Sequence, residues 1–552
     1  MTKQTAARHL VDALVMNGVT HVFCVPGESY LAVLDALYDV RDRIKLIVCR
    51  HEASAANMAE AYGKLTGKPG IVMVTRGPGA TQGSVGVHTA FQDSTPMIMF
   101  IGQVARDMLD REAFQEIDYR QMFGPVAKWA SEIDVASRAG EYVNRAFATA
   151  QNGRRGPVVL ALPEDMLTEE AEAEALPPAP LAMAAPDERA LELLREHLGG
   201  AERPFLLVGG GGWTHAAVND LKTFVEATGI PVGASFRSKD LFDNLHPQYA
   251  GDVGIGPNPR LVERLKRADL VIAFGPRLGE MTTSGYELFK APLAAQPLIH
   301  IHPGAEELGR VYAPILAINA APETMARALA AEPWTLDENW LQQAYEAHSE
   351  FEAFSKPVAV GEGVNLSEVF SWLDKNLPTD AIMCNGAGNY AAWLHRFYRH
   401  KEFKTQLAPT SGAMGYGFPA ALAAKAVYPK RDVVCAAGDG CFMMASNELA
   451  TAVQYSLNVI TIVSNNSVYG TIRMHQERDY PARVSGTDLR NPDFAAYARS
   501  FGAFGATVTR TEDFPAAYAE AKASGLPAVL DLKTSANEIA PGRTIEGLRG
   551  AR

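Results

Sequence analysis

Asp439 and Asn466 are the residues whose types and spacing suggest chemistry. Asp439 lies between Gly438 and Gly440 at the end of the apolar run in DVVCAAGDG, and Asn466 closes the next such run, NVITIVSNN, 27 residues later. The stretch between them reads as a helix, so the segment is predicted as strand, helix, strand. Both polar clusters then fall at the carboxyl ends of parallel strands, where open α/β sheets bind ligands. A carboxylate and an amide carbonyl are hard oxygen donors, suited to Mg²⁺ or Ca²⁺ rather than zinc. Mg²⁺ takes one or two protein carboxylates and leaves its other positions to phosphate oxygens and water, which makes a diphosphate the natural completing ligand. Gly438 and Gly440 let backbone approach closely, and a helix starting near Cys441 favours negative charge at its N-terminus. Either piece alone reads as a turn; their pairing across one unit points to a metal–diphosphate site.

The elements that must carry such a site recur along the chain. At 552 residues it exceeds what one hydrophobic core supports. Apolar runs alternate with helical patterns throughout, the mark of doubly wound parallel sheets. The predicted fold class is α/β, with three consecutive doubly wound parallel-sheet domains over residues 1–170, 187–331 and 360–540. A Pro/Ala-rich stretch, Leu176 to Pro186, reads as a linker. A net charge of −12 lacks the basic footprint of a nucleic-acid binder. Mean hydropathy of −0.07, with no long uninterrupted apolar run, argues against a membrane span. The opening MTKQTAARHLVDAL has no charged lead into an apolar run, so a cytoplasmic location is expected. Five scattered cysteines, none in a C-x-x-C pair, predict neither disulfides nor a zinc site. The expected ligand is a small molecule.

The pair of clusters resembles the thiamine diphosphate signature of the pyruvate oxidase/acetolactate synthase superfamily, and the likeness extends over nearly the whole chain. RHEASAANMAEAYGKLTGKPG is similar to that family's glutamate segment, and VTRGPGATQGSVGVHTAFQDSTPMIMFIGQV to a succession found in acetolactate synthase large subunits. The resemblance implies pyrimidine-binding, central and diphosphate-binding domains in that order. It makes Glu52 the carboxyl group that shares a proton with the pyrimidine ring, a task that suits a desolvated carboxyl. It implies Gly386, Ala387, Gly388 and Asn389 around the diphosphate, and Gly412 and Met414 against the aminopyrimidine. Gly438, Asp439, Gly440, Cys441, Asn466, Val468 and Tyr469 complete the implied cofactor site, with Asp439, Asn466 and the Val468 carbonyl as Mg²⁺ ligands. Gln115 falls near the cofactor's reactive end, and His88, Phe91, Thr471, Ile472 and His475 are candidate pocket walls. The family's chemistry is attack on a 2-keto acid, loss of CO₂, and protonation or capture of the resulting enamine. Homodimers or tetramers with the active site at a subunit interface are implied as well.

Departures from the family pattern keep the reaction open. Acetolactate synthases carry an arginine and a tryptophan that help select the second keto acid; Met281 and His475 stand there, and methionine has no fork for a carboxylate. Glu28, in VPGES, replaces a glycine and is predicted to touch the reacting carbonyl or relay a proton. His302 and Ala320–Ala321 replace acidic residues that hold the adenosine part of FAD in relatives, so FAD is predicted absent or weakly bound. The leading expectation is a carboligase or decarboxylase. The alternatives are a 2-hydroxyacyl or 2-hydroxy ketone lyase, similar to benzaldehyde lyase, and a non-catalytic regulatory homologue.

Overall fold

The computed structural model describes residues 2–550 and contains three six-stranded sheets, each entirely parallel. Strands such as GIVMV, MIMFIGQ and PVVLALP are buried along their whole length, as expected where helices cover both faces of a parallel sheet. The first sheet comprises β1 (His21–Cys24), β2 (Lys45–Val48), β3 (Gly70–Val74), β4 (Met97–Gln103), β5 (Trp129–Glu132) and β6 (Pro157–Pro163), in the order β2-β1-β3-β4-β6-β5. The second comprises β7 (Pro204–Val208), β8 (Val232–Ala234), β9 (Tyr249–Asp252), β10 (Leu270–Phe274), β11 (Leu298–His302) and β12 (Leu316–Asn319), in the order β9-β8-β7-β10-β11-β12. The third comprises β13 (Ile382–Asn385), β14 (Gln406–Leu407), β15 (Val433–Gly438), β16 (Ile460–Asn465), β17 (Phe504–Val508) and β18 (Ala528–Lys533), in the order β14-β13-β15-β16-β18-β17. The first and third sheets therefore share one topology, whereas the second follows the dinucleotide-binding order. Among the described residues no helix is long and apolar enough to cross a membrane.

The chain packs as two compact units. One holds the described residues of Met1–Ala182 with Ser411–Pro429 and Ala445–Leu457; the other holds Met183–Thr410, Lys430–Met444 and the described residues of Asn458–Arg552. Two segments from within 360–540 thus pack with the first sheet. The reason is visible in the helix Gly417–Val427, whose residues are buried on nearly every side, since a helix apolar all round must be enclosed. It packs on the equally enclosed helix Glu52–Thr66.

The Glu52–Thr66 helix is rich in small residues, and these let its neighbours come close. A Cβ added at Gly86, on the helix Gly77–Asp93, would lie 2.4 Å from the Ala56 Cβ. At the middle of this packing Glu60, fully buried, accepts hydrogen bonds from Thr95 (2.7 Å) and Tyr416 (2.5 Å) and pairs with Lys64 (3.2 Å). Burial raises the Glu60 carboxyl above the usual range.

Gly86→Val should destabilise the protein by about 1–3 kcal/mol or more, read as a lower urea midpoint. Glu132, at the end of β5, is pushed up to about 7, first by burial and then by Asp134. A carboxyl raised in the folded state favours folding while protonated and loses that advantage as pH rises through about 7. Glu132→Gln should therefore raise the thermal midpoint at pH 8 and leave it nearly unchanged below pH 5; an equal shift at both would contradict the assignment.

Candidate active site

In the first sheet the strand order reverses between β1 and β3, and the loops leaving their carboxyl ends, 25–28 and 75–77, flank the crevice this creates. They touch: a Cβ at Gly27 would lie 2.4 Å from the Thr75 Cβ, and the Ser29 and Thr75 hydroxyls are 3.0 Å apart. Glu28 follows directly, its side chain 71% exposed, with Oε1 3.4 Å from Nη2 of Arg76. Gln115 comes from the loop after β4; its carbonyl accepts the Gly77 N–H at 3.0 Å, and the neighbouring Phe114 carbonyl accepts from Arg76 Nη1 at 3.3 Å. Glu28 and Gln115, far apart in sequence, thus meet around Arg76, a residue that the sequence reading did not single out. The signal was an arginine two residues after a buried strand.

Glu52 begins its helix one residue past His51, whose Nδ1 accepts the Ala53 N–H at 3.1 Å. It is 9% exposed, and among the described residues no hydrogen-bond partner meets its carboxylate. Its Oε1 would be 3.4 Å from a Cβ at Gly79, which places it beside the β1/β3 crevice. The turn that presents Glu52 is held from below by Glu448. That fully buried carboxylate accepts the Arg50 N–H at 3.0 Å, the Thr451 hydroxyl at 2.5 Å, and hydrogen bonds from the His51 backbone and the Ser54 side chain. Burial raises its carboxyl, and these donors pull it back. Glu448 was missed too, since within the helical run SNELATAV nothing distinguishes it from a solvated residue.

His88 and Phe91 lie farther along the Gly77–Asp93 helix, eleven and fourteen residues from its start, roughly 16 and 21 Å along the axis at 1.5 Å per residue. They stand apart from Glu28 and Gln115. His88 is exposed, and Arg154 sits over the Phe91 ring at 4.9 Å. Next to His88, Thr89 approaches the Ser411 hydroxyl at 3.3 Å, so the loop bearing Gly412 and Met414 arrives at that end. Gly412 has φ +69°, a left-handed conformation that glycine adopts without strain.

The third sheet repeats the reversal between β13 and β15, and the loops there are Gly386–Asn389 and Gly438–Gly440. Register sets Gly438 opposite Ser464, which carries Asp439 and Asn466 to the same edge. Asp439, 3% exposed, accepts the Gly440 and Ser467 N–H groups and the Asn491 amide, each at 2.7 Å. Burial raises its carboxyl, opposed by those donors. The Asn466 amide oxygen accepts the Val468 N–H at 3.2 Å. The glycines here make room for aromatic rings. A Cβ at Gly438 would lie 2.9 Å from the Tyr390 ring, and one at Gly440 would lie 2.6 Å from the Tyr469 ring. Tyr390 in turn accepts the Gly386 N–H at 3.0 Å and donates to Cys441 Sγ at 3.3 Å, so it ties both loops together. Arg237 donates to the Gly386 carbonyl at 3.0 Å and to that of Pro409. Thr471 donates to the Asn389 side chain at 2.9 Å, while Ile472 and His475 on the same helix are exposed.

In the second sheet the corresponding loops close on each other. A Cβ at Gly210 would lie 2.0 Å from the Gly275 carbonyl, and Trp213 donates to the Gly209 carbonyl at 2.8 Å. His302 Nδ1 accepts the Gly304 N–H at 3.0 Å.

In the first unit the buried Glu52 carboxylate, without a hydrogen-bond partner among the described residues, fits a ring nitrogen. In the second unit, taken by itself, the helix N-terminus after Asn389 fits a diphosphate, and Asp439 with Asn466 offers hard oxygen donors to a metal. Comparison with known proteins agrees. The N-terminal thiamine pyrophosphate-binding domain of thiamine pyrophosphate enzymes matches residues 4–122, their central domain residues 189–329, and their C-terminal thiamine pyrophosphate-binding domain residues 386–532. The acetolactate synthase large subunit of Parasynechococcus marenigrum is 31% identical, covering 98% of this chain and 90% of the relative. The probable acetolactate synthase large subunit of Methanocaldococcus jannaschii is 31% identical (97% and 93%), and the acetolactate synthase large subunit of Corynebacterium glutamicum 32% identical (96% and 86%).

Glu448→Ala should free the turn before Glu52. Stranding its buried N–H groups costs about 1–3 kcal/mol, and amide hydrogen exchange in a peptide spanning residues 48–55 should quicken accordingly. Unchanged protection there would show that Glu448 does not hold the turn.

Proposed function

The chain belongs to the thiamine pyrophosphate enzyme family and is acetolactate-synthase-like over nearly its whole length, and from that premise we propose a carboligase or decarboxylase acting on a 2-keto acid with thiamine diphosphate and Mg²⁺. The observation that carries this reading is the buried, unpartnered Glu52 at the edge of the β1/β3 crevice. When bound, thiamine diphosphate supplies an acidic carbon that adds to a carbonyl and accepts the electron pair left when CO₂ departs.

The protein's part is to bind, orient and move protons. Glu52, buried and without a hydrogen-bond partner among the described residues, would hold the pyrimidine ring nitrogen through a shared proton. Gly412 and Met414 seat the pyrimidine, and Gly386, Ala387, Gly388 and Asn389 receive the diphosphate. Asp439, the Asn466 amide and the Val468 carbonyl hold Mg²⁺, with Gly438, Gly440, Cys441 and Tyr469 shaping the cradle around them. Gln115 orients substrate, and Glu28 relays a proton beside the reacting carbonyl. His88, Phe91, Thr471, Ile472 and His475 form outer walls. A homodimer or tetramer, with the site completed across a subunit interface, belongs to the same proposal. Cleavage of a 2-hydroxy ketone is the second reading; it is favoured by Met281, which offers no donor to an acceptor's carboxylate. A non-catalytic role fits poorly with a carboxylate kept buried and unpaired.

With cofactor and Mg²⁺ supplied, 2-keto acids offered with and without aldehydes should release CO₂ and yield ligated product. Glu52→Ala should lower turnover about 10²–10⁴-fold, while Asp439→Ala should abolish Mg²⁺ binding along with cofactor retention. Full turnover by Glu52→Ala would refute the proposal.

A further inference from the structure

Arg76 is a buried charge whose contacts are incomplete. Its side chain is 9% exposed, it follows β3 at the crevice, and three strand ends converge on it: Glu28 after β1, Glu164 after β6, and the Phe114 carbonyl after β4. A guanidinium can donate five N–H bonds, yet here the contacts are few and long. Nη1 reaches Phe114 at 3.3 Å, and Nη2 shares Glu28 at 3.4 Å and Glu164 at 3.6 Å. Nε is buried without a partner. Charged N–H···O bonds in an ion pair made for its own sake run to about 2.7–2.9 Å and are often bidentate. The Nε–Nη2 edge is therefore a carboxylate receptor only loosely occupied: Nε is unpartnered, and Nη2 faces one oxygen each of Glu28 and Glu164 at long distance.

We propose that Arg76 receives the carboxylate of the substrate acid and that Glu28 is a resident counter-ion, which stands on the guanidinium edge until the substrate displaces it. The inference rests on the 2-keto acid reading above and assigns the residue that makes the site select an acid. Displacement is easy because the Glu28 side chain is 71% exposed and passes back into water. Phe114, 71% exposed with its ring 6.0 Å from the guanidinium carbon, covers the same side and is equally free to move aside. Once the carboxylate is seated, Glu28 is left beside the adjoining carbonyl, where a proton relay needs it. The Gly77 N–H, donated to the Gln115 carbonyl at 3.0 Å, ties the residue after Arg76 to the loop that carries Phe114.

The test uses oxamate, an unreactive isostere of a small 2-keto acid, titrated by calorimetry into the full-length protein with and without thiamine diphosphate and Mg²⁺; its uncharged counterpart oxamide is the control. Oxamate should bind the unmodified protein better than oxamide. Arg76→Lys keeps the charge but loses the fork, and should weaken oxamate at least about tenfold without affecting oxamide. Glu28→Gln alters an exposed side chain, leaves folding intact, and should tighten oxamate several-fold by removing the competitor. Equal oxamate affinity in Arg76→Lys and the unmodified protein, weaker binding in Glu28→Gln, or no oxamate binding at all would overturn the proposal. Cofactor binding, followed separately by tryptophan fluorescence, distinguishes the two failures. If thiamine diphosphate does not bind, the enzymatic reading falls; if it binds and oxamate is indifferent to Arg76, only the carboxylate receptor falls.

Discussion

A parallel sheet spends every interior backbone N–H and C=O on its ladder, so polar function can be placed only where strands end. In this protein the first and third sheets reverse direction after their first strand, and the reversal parts two adjacent loops without breaking the ladder. The crevice in the first sheet collects Glu28, Arg76 and, at its edge, Glu52; that in the third collects Gly386–Asn389 and Gly438–Gly440. The second sheet has the same opportunity and uses it differently, since the glycines after β7 and β10 let those two loops pack against each other.

Buried charge is the cost of such sites, and the chain meets it in different ways. Asp439 and Glu448 are each surrounded by N–H and O–H donors, so burial raises their carboxyls but hydrogen bonds restrain the shift. Glu60 has Lys64 and two hydroxyls. Glu52 and Arg76 differ from these, the first without a hydrogen-bond partner among the described residues and the second with an unpartnered Nε and only long contacts. Charged groups left incomplete beside a crevice are where an enzyme's ligands are expected to complete the set.

Glu448 illustrates how the scaffold serves the site without touching it. It lies nine residues after Asp439 in sequence, packs in the first unit, and fixes the two residues that precede Glu52. The orientation of Glu52 therefore depends on a segment almost 400 residues away along the chain. The close helix packing at Gly86 and Ala56 sets the same helix from its other side.

The sequence by itself determined the fold class and the family, and it marked the residues proposed for the cofactor site. Short apolar runs alternating with helical patterns read as strands enclosed on both faces, and adjacent parallel strands carry the residues at their carboxyl ends to one edge. It also marked Glu28 and Gln115, though not the arginine between them, because local pattern does not tell a buried guanidinium from a surface one. The contacts of Glu448, the filling of Gly438 and Gly440 by tyrosine rings, and the distance of His88 and Phe91 from the Glu28–Gln115 cluster were decided by tertiary structure alone. Each depends on which distant segment packs against which, and that is settled by volume and hydrogen-bond completion across the core rather than by the neighbours a residue has in sequence.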